Sequence, residues 1–215
     1  FYFGGNTADY YRKQILLPFF KYHLKGEGEL NLNDSYVFDT GKNQWSNFPT
    51  WPPKEAVESK YFLQEDEKLN QNPSIDQNSF SEYISDPSNP VPYTAKFEDS
   101  KSFYNEVHLI EDQRYVSTRP DVLTFESDIL KEDVTIAGPI IAELFVSTTG
   151  TDADFVVKVI DVYPDDEKDL SRVEMGGYER LVRTEILRGK FRNNFENPEP
   201  FEPNKVTEVK INLND

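Results

Sequence analysis

The sequence predicts a mainly β protein: an antiparallel β-sandwich preceded by one helix. Three observations predict it. A single stretch, Ala8 to Leu24, carries long helical periodicity. Beyond Gly26, short runs rich in β-branched and aromatic residues alternate with Gly, Asn, Asp and Pro, as strands and turns do. Sixteen Phe, 12 Tyr and 2 Trp in 215 residues supply a hydrophobic core that acidic disordered chains lack.

The elements follow in order. Ile15, Leu16, Phe19, Phe20 and Leu24 recur at three- and four-residue steps, the spacing of one helix face. Thr7 is the expected N-cap, with Asp9 favourable at the positive end of the helix dipole, and Lys25-Gly26 the expected stop. Pro18 lacks a backbone donor, so a kink or split is expected near Leu17. Tyr36-Val37-Phe38 reads as a strand followed by the turn Asp39 to Asn43, and Tyr61-Phe62-Leu63 as another short strand. Glu65 to Asp112 is less regular. Asn72-Pro73, Asp86-Pro87, Asn89-Pro90 and Val91-Pro92 all disfavour helix there, which predicts long connections.

Three longer strands come next. Ile140, Ala142, Leu144 and Val146 alternate onto one face. Phe155 to Val162 is apolar on both faces, as a central strand is, and Leu181 to Leu187 forms a third. Finally Thr207, Val209, Ile211 and Leu213 face one way while Val206, Glu208 and Lys210 face the other. Many short strands, turn signals between them and one helix describe a sandwich.

Charge excludes some functions. The formal net charge is −16, from 23 Lys and Arg against 39 Asp and Glu. With no basic block, that charge repels nucleic acid and anionic membrane surfaces. No apolar run reaches the roughly 18 residues a membrane-spanning helix needs. Zero Cys removes disulfides, thiolate nucleophiles and Cys zinc sites without fixing the compartment. The opening Phe1-Tyr2-Phe3-Gly4-Gly5 has neither Met nor a leader, so the chain is expected to start inside something longer.

The chemistry-bearing residues are few. His23 lies among aromatic and basic neighbours and His108 on the approach to a strand, and neither has a nucleophile at fixed spacing. No Gly-x-Ser-x-Gly elbow occurs, so packing is the favoured role for both. Asp152 and Asp154 resemble half a calcium loop, and Asp165, Asp166 and Glu167 form a second acidic knot. Neither supplies the oxygens a calcium loop needs, so acidic turns are the better reading and no metal is expected. Among 39 acids no pair stands out as a glycosidase pair. Trp45, Trp51, Phe97, Phe103 and Tyr104 sit in turn-rich segments, where aromatics can wall a pocket, stack on a sugar or plug the ends of a sandwich.

A set of motifs is more specific. Asp112-Gln113-Arg114-Tyr115 precedes Arg119-Pro120-Asp121-Val122-Leu123-Thr124-Phe125. Gly138-Pro139 and the run Val146 to Pro164, containing Ser147-Thr148-Thr149-Gly150-Thr151-Asp152-Ala153-Asp154-Phe155, come next. Gly176-Gly177-Tyr178, Leu187-Arg188-Gly189-Lys190-Phe191-Arg192 and Phe195-Glu196-Asn197-Pro198 follow. Together these resemble the C-terminal non-catalytic jelly-roll domain of the X-Pro dipeptidyl-peptidase family of serine hydrolases. That family includes α-amino-acid ester hydrolases, glutaryl acylases and cocaine-esterase-like enzymes, and the likeness is to the ester hydrolase and acylase branch in particular. Gly5-Asn6-Thr7-Ala8 through Pro18-Phe19-Phe20 and Leu24-Lys25-Gly26 resembles the last helix of the α/β-hydrolase domain. Thr40 to Trp45 and Trp51-Pro52 resemble the entry to the jelly roll.

The resemblance implies a division at residues 1–30, a terminal helix of the catalytic domain, and 31–215, a galactose-binding-like jelly-roll sandwich lacking its last strands. It places the family's Ser-His-Asp triad before Phe1, so no catalytic residue, cofactor or metal carries over and the chain alone is expected to be inert. It implies an α/β-hydrolase domain as partner and an acyl or dipeptide substrate for the parent. It leaves the compartment open, with a periplasmic or secreted parent as the alternative. The loop from about Lys96 to Asp112 corresponds to the one that walls the substrate pocket, through Phe97, Phe103 and Tyr104. Asp112, Gln113 and Arg114 would brace it, an Asp–Arg pair around an amide being suited to a buried polar brace. Two other classes stay open. One is a stand-alone carbohydrate-binding sandwich using Trp45, Trp51 and Tyr104. The other is a homo-oligomerisation module using the apolar helix Ala8 to Leu24.

Overall fold

The computed structural model of the chain describes residues 4–76, 78–95, 110–170 and 173–213. They fall into two compact units: residues 1–58 with 132–138, and residues 59–131 with 139–215.

The first unit contains the helix, residues 7–25. Its N-cap is Asn6 rather than Thr7: the Asn6 side-chain oxygen accepts from the Asp9 backbone N–H at 2.9 Å. Asp9 also pairs with Lys13 one turn on, at 2.8 Å. The helix is not split at Pro18. Instead, α-helical turns at Thr7–Tyr10 and Leu17–Phe20 alternate with wider π-type turns at Tyr11–Leu16 and Lys21–Lys25. The Leu17 N–H reaches back five residues to the Arg12 carbonyl, so the turn before Pro18 widens to accommodate the missing donor. Gly26, with φ of 66°, closes the helix in the left-handed conformation that a Cβ disfavours.

Strands β1 (Ser35–Asp39) and β2 (Gln44–Phe48) form a hairpin in which Phe38 faces Trp45. The Asp39 carboxylate holds the turn by accepting from the Gly41 and Lys42 N–H groups at 3.0 and 2.9 Å. Trp45, expected in a turn, lies on β2. Tyr10 and Tyr36 both stack on its indole, at 5.2 and 5.5 Å between ring centroids, and Phe38 meets it edge-on at 5.3 Å. The two tyrosine hydroxyls hydrogen-bond each other at 2.9 Å, so the indole clamps the helix to the hairpin.

The second unit is the sandwich. Strands β3 (Phe62–Leu63) and β4 (Leu69–Asn70) form a small antiparallel pair across a tight turn at Glu65–Glu67. Strand β5 (Ile141–Val146) pairs antiparallel with β8 (Thr207–Asn212), and β6 (Asp154–Val162) with β7 (Glu179–Arg188). Alternation decides which faces meet. Val209, Ile211 and Leu213, with Phe201, are buried. Packed on them are Ile140, Ala142, Leu144 and Val146 from one pair and Phe155, Val157, Val159 and Leu187 from the other. On the opposite face of β6 Val156 and Val162 are exposed, while Lys158 between them is half-buried and donates to Gln113.

The close approach at Gly189 locks the end of the β6–β7 pair to the core. A Cβ there would come within 2.7 Å of Phe201 Cζ and 2.9 Å of Phe155 Cε2, which only glycine avoids.

Candidate functional site

The motif Asp112-Gln113-Arg114-Tyr115 opens a one-turn helix, Arg114–Ser117, that lies beside the start of β7. The turn forms because the Asp112 carboxylate accepts from the Arg114 backbone N–H at 3.1 Å and pairs with its guanidinium Nε at 2.7 Å. The same carboxylate accepts from the Glu179 N–H, while Arg114 Nη1 donates to the Gly176 carbonyl at 3.3 Å. Burial pushes the Asp112 carboxyl up, but the hydrogen bonds from Arg114 and from the two backbone N–H groups outweigh it and hold it below the usual carboxylate range.

Gln113 is 1% exposed and fully partnered. Its backbone N–H donates to the Glu179 carbonyl at 3.0 Å and its side-chain amide to the Glu111 carbonyl at 2.7 Å. Its amide oxygen accepts from Lys158 Nζ at 2.6 Å. Lys158 is the one cation in the apolar run Phe155 to Val162. Its ammonium also lies 5.7 Å from the centre of the Tyr115 ring, and burial lowers its pKa. Ser117 Oγ donates to the Glu179 carboxylate at 2.8 Å. Burial nevertheless leaves that carboxyl above its ordinary range.

This network ties residues 93–95 to residues 110–115. Tyr115 donates its hydroxyl to the Tyr93 carbonyl at 2.7 Å, the Ala95 N–H donates to the Glu111 carboxylate at 3.2 Å, and the Tyr178 hydroxyl donates to the Ile110 carbonyl. Phe97, Phe103, Tyr104 and His108 lie outside the described residues. So does most of the expected pocket loop; its last residues, Ile110 to Asp112, enter this network. Lys158, Glu179, Ser117, Tyr115 and Tyr178 complete the cluster and were not among the candidates. A cation inside the largely apolar run Phe155 to Val162 was the available signal for Lys158.

The other candidates separate cleanly. His23 packs on Phe19 and Tyr22, with ring centroids at 4.5 and 5.1 Å. Asp154 is bound by the Arg188 guanidinium at 2.8 and 3.0 Å. Asp152 accepts from the Lys190 N–H at 3.0 Å and pairs with its ammonium at 3.4 Å. Both carboxylates are thus taken up by cations and backbone donors. Among the described residues no group of three His, Asp or Glu converges to hold a metal, and no helix is long and apolar enough to cross a membrane. Trp45 is stacked on by Tyr10 and Tyr36 and so is taken up in packing, whereas Trp51 is exposed and tilts against Phe48 at 6.2 Å. A groove of about 440 Å³ runs along the flank of β7 and β8, lined among others by Leu187, Phe191, Arg192, Lys210 and Ile211, with no histidine or hydroxyl nucleophile in its wall.

A β-sandwich whose organised polar chemistry joins backbone segments, with no catalytic constellation among the described residues, fits a scaffold class, an accessory domain. The chain belongs to the family of the X-Pro dipeptidyl-peptidase C-terminal non-catalytic domain, whose model matches residues 31–215. It is 28% identical over 205 residues to the cocaine esterase of Rhodococcus sp. (strain MB1 Bresler), an alignment covering 91% of this chain and 33% of the esterase. Among solved structures it superposes on an aminopeptidase from a marine sediment archaeon, Thaumarchaeota archaeon, with a TM-score of 0.86 and 35% identity over 98% of this chain and 34% of that one. An α-amino acid ester hydrolase gives a TM-score of 0.84 at 35% identity, over 98% of this chain and 35% of the hydrolase. The chain therefore spans about a third of the length of these relatives.

Proposed function

We propose that this chain is the accessory jelly roll of a serine hydrolase, packing on the catalytic domain and shaping the acyl side of its substrate pocket. In this reading residues 1–30 are the terminal helix of the α/β-hydrolase domain and 31–215 the jelly roll, completed by further strands. The family match beginning at residue 31 supports that division. The parent hydrolyses an acyl ester or amide, or an X-Pro dipeptide, through an acyl-serine intermediate.

The observation that carries the reading is the network around Gln113 and Lys158. It fixes residues 93–95 and 110–117, the two ends of the loop holding Phe97, Phe103 and Tyr104. A pocket wall must be positioned to discriminate, and side chains on a loop are positioned by what holds its ends. Asp112, Gln113 and Arg114 are the brace in this reading, and the three aromatics the wall.

Two measurements test it. In the full-length parent, Phe103→Ala or Tyr104→Ala raises KM for bulky acyl groups several-fold while small acyl groups are turned over as before. Unchanged kinetics on both removes the pocket role. The purified 215-residue chain leaves p-nitrophenyl esters intact; hydrolysis blocked by a serine-directed inhibitor would place the nucleophile in this chain.

A further inference from the structure

Lys158 is out of keeping with the strand that carries it. Six of the eight residues from Phe155 to Val162 are apolar. Lys158 is half-buried among them, and burial lowers the pKa of its ammonium. Withdrawing an ammonium from water costs free energy, and a methionine of similar volume fills such a site without that cost. A residue that violates the local pattern in this way calls for an explanation in terms of what its charge does.

An ammonium carries donors and no acceptor, so it can bond the Gln113 amide only at its oxygen. It does so at 2.6 Å. That turns Nε2 of the amide the other way, where it donates to the Glu111 carbonyl at 2.7 Å. The Glu111 carboxylate in turn accepts from the Ala95 N–H at 3.2 Å. A reversed amide would set its own donors against the ammonium and its oxygen against a carbonyl, so the charge of Lys158 selects one orientation. The same ammonium lies 5.7 Å from the centre of the Tyr115 ring, whose hydroxyl donates to the Tyr93 carbonyl at 2.7 Å. Gln113 and Tyr115 therefore begin two separate connections to residues 93–95, and both start from one side chain of β6.

We propose that Lys158 is a positioning residue that determines acyl selectivity in the parent hydrolase. Its charge orients the Gln113 amide and seats the Tyr115 ring, and through these two it holds residues 93–95 against residues 110–115. Phe97, Phe103 and Tyr104 lie between those segments in the sequence, so the anchorage of the proposed wall originates on β6. This inference rests on the accessory-domain reading and adds to it a determinant that acts through other residues. Removing the charge of Lys158 loosens discrimination between acyl groups and spares the acyl-transfer step, in which no group of this cluster takes part in that reading.

Steady-state kinetics of the full-length parent on a bulky and a small acyl p-nitrophenyl ester test this, with Phe103→Ala as the reference variant. Lys158→Met raises KM for the bulky ester about three- to tenfold and leaves kcat for both esters within about twofold. Gln113→Glu gives the same shift for a different reason: it keeps a partner for Lys158 but sets an acceptor against the Glu111 carbonyl. Lys158→Cys behaves as Lys158→Met. Alkylating that cysteine with 2-bromoethylamine rebuilds an ammonium of nearly lysine length and returns KM to the parent value. Far-UV circular dichroism reports whether each variant is folded, and Gln113→Glu carries the test if Lys158→Met and Lys158→Cys are not. A KM shifted by Phe103→Ala but by neither Lys158→Met nor Gln113→Glu overturns the role of Lys158 and leaves the accessory-domain reading standing. No shift in any variant overturns both. The role also falls if the rebuilt ammonium fails to restore KM, or if folded variants lose kcat equally on the two esters.

Discussion

The Asp112 carboxylate accepts from the Glu179 backbone N–H, and the side-chain carboxyls of the two residues are perturbed in opposite directions. Asp112 is held below its ordinary value, so it binds fewer protons folded than unfolded. Its stabilisation is present above the ordinary carboxylate range and is lost as pH falls toward its lowered value. Glu179 is held above, so the folded state is favoured in acid and that advantage disappears as pH rises past the ordinary value to the raised one. Ser117 eases the ionised Glu179 by donating to it. Ser117→Ala therefore pushes the Glu179 carboxyl up further. It costs about 1 kcal/mol at neutral pH and clearly less at about pH 4, where the group is more protonated and the lost bond matters less. Urea unfolding at the two pH values measures the difference; an equal cost at both would mean that Ser117 acts by packing rather than on the charge. Of this cluster, Asp112, Gln113 and Arg114 are contiguous, so a local motif could single them out as candidates. Glu179 and Lys158 come from strands far along the chain, and proximity across that distance is set by packing, which no local pattern encodes.

Elements were legible where periodicity met burial. The faces of β5 and β8 could be read residue by residue, because alternation over six residues admits one buried face. β2 was missed because Trp45 follows a turn so closely that turn residues dominate the window. At Pro18 a local rule was overridden, since a widened turn tolerates the missing donor without ending the helix. The junction after β7 shows the converse, a single position that the element cannot vary. Gly189→Ala places a Cβ against Phe201 and Phe155, two rings fixed within the core. Overpacking of this kind costs about 1–3 kcal/mol, read as a fall in the urea midpoint at unchanged slope. Gly5→Ala, which meets nothing within 4 Å, is the control and leaves the midpoint within about 0.5 kcal/mol of the parent value. Equal effects at the two positions would mean that the rings move aside.

On the scale of the whole molecule, motif order disclosed the family, because motif order is a linear property. Residues 78–93 were legible only as a long proline-rich connection, and they carry neither helix nor strand in the structure. The sandwich itself rests on β8, which supplies Val209 and Ile211 and leads into Leu213, three of the four buried side chains of the central cluster. A chain ending at residue 205 therefore loses cooperative unfolding as a unit. Calorimetry shows no sharp transition from residues 59–205, whereas the helix and its hairpin keep the near-ultraviolet signal of the Trp45 stack. A sharp transition in the shortened chain would show that β5, β6 and β7 suffice.

β5 and β8 are also partners whose paired residues, such as Ile141 and Asn212, are separated by most of the intervening domain. During synthesis, β6 and β7 can zip together as soon as both clear the ribosome, but β5 must wait, its apolar face uncovered, until translation has delivered its distant mate. The nascent protein thus passes through an interval in which half of its future interior is in solution. Slow codons or chaperone capture between residues 146 and 207 would govern its yield more than any event after release.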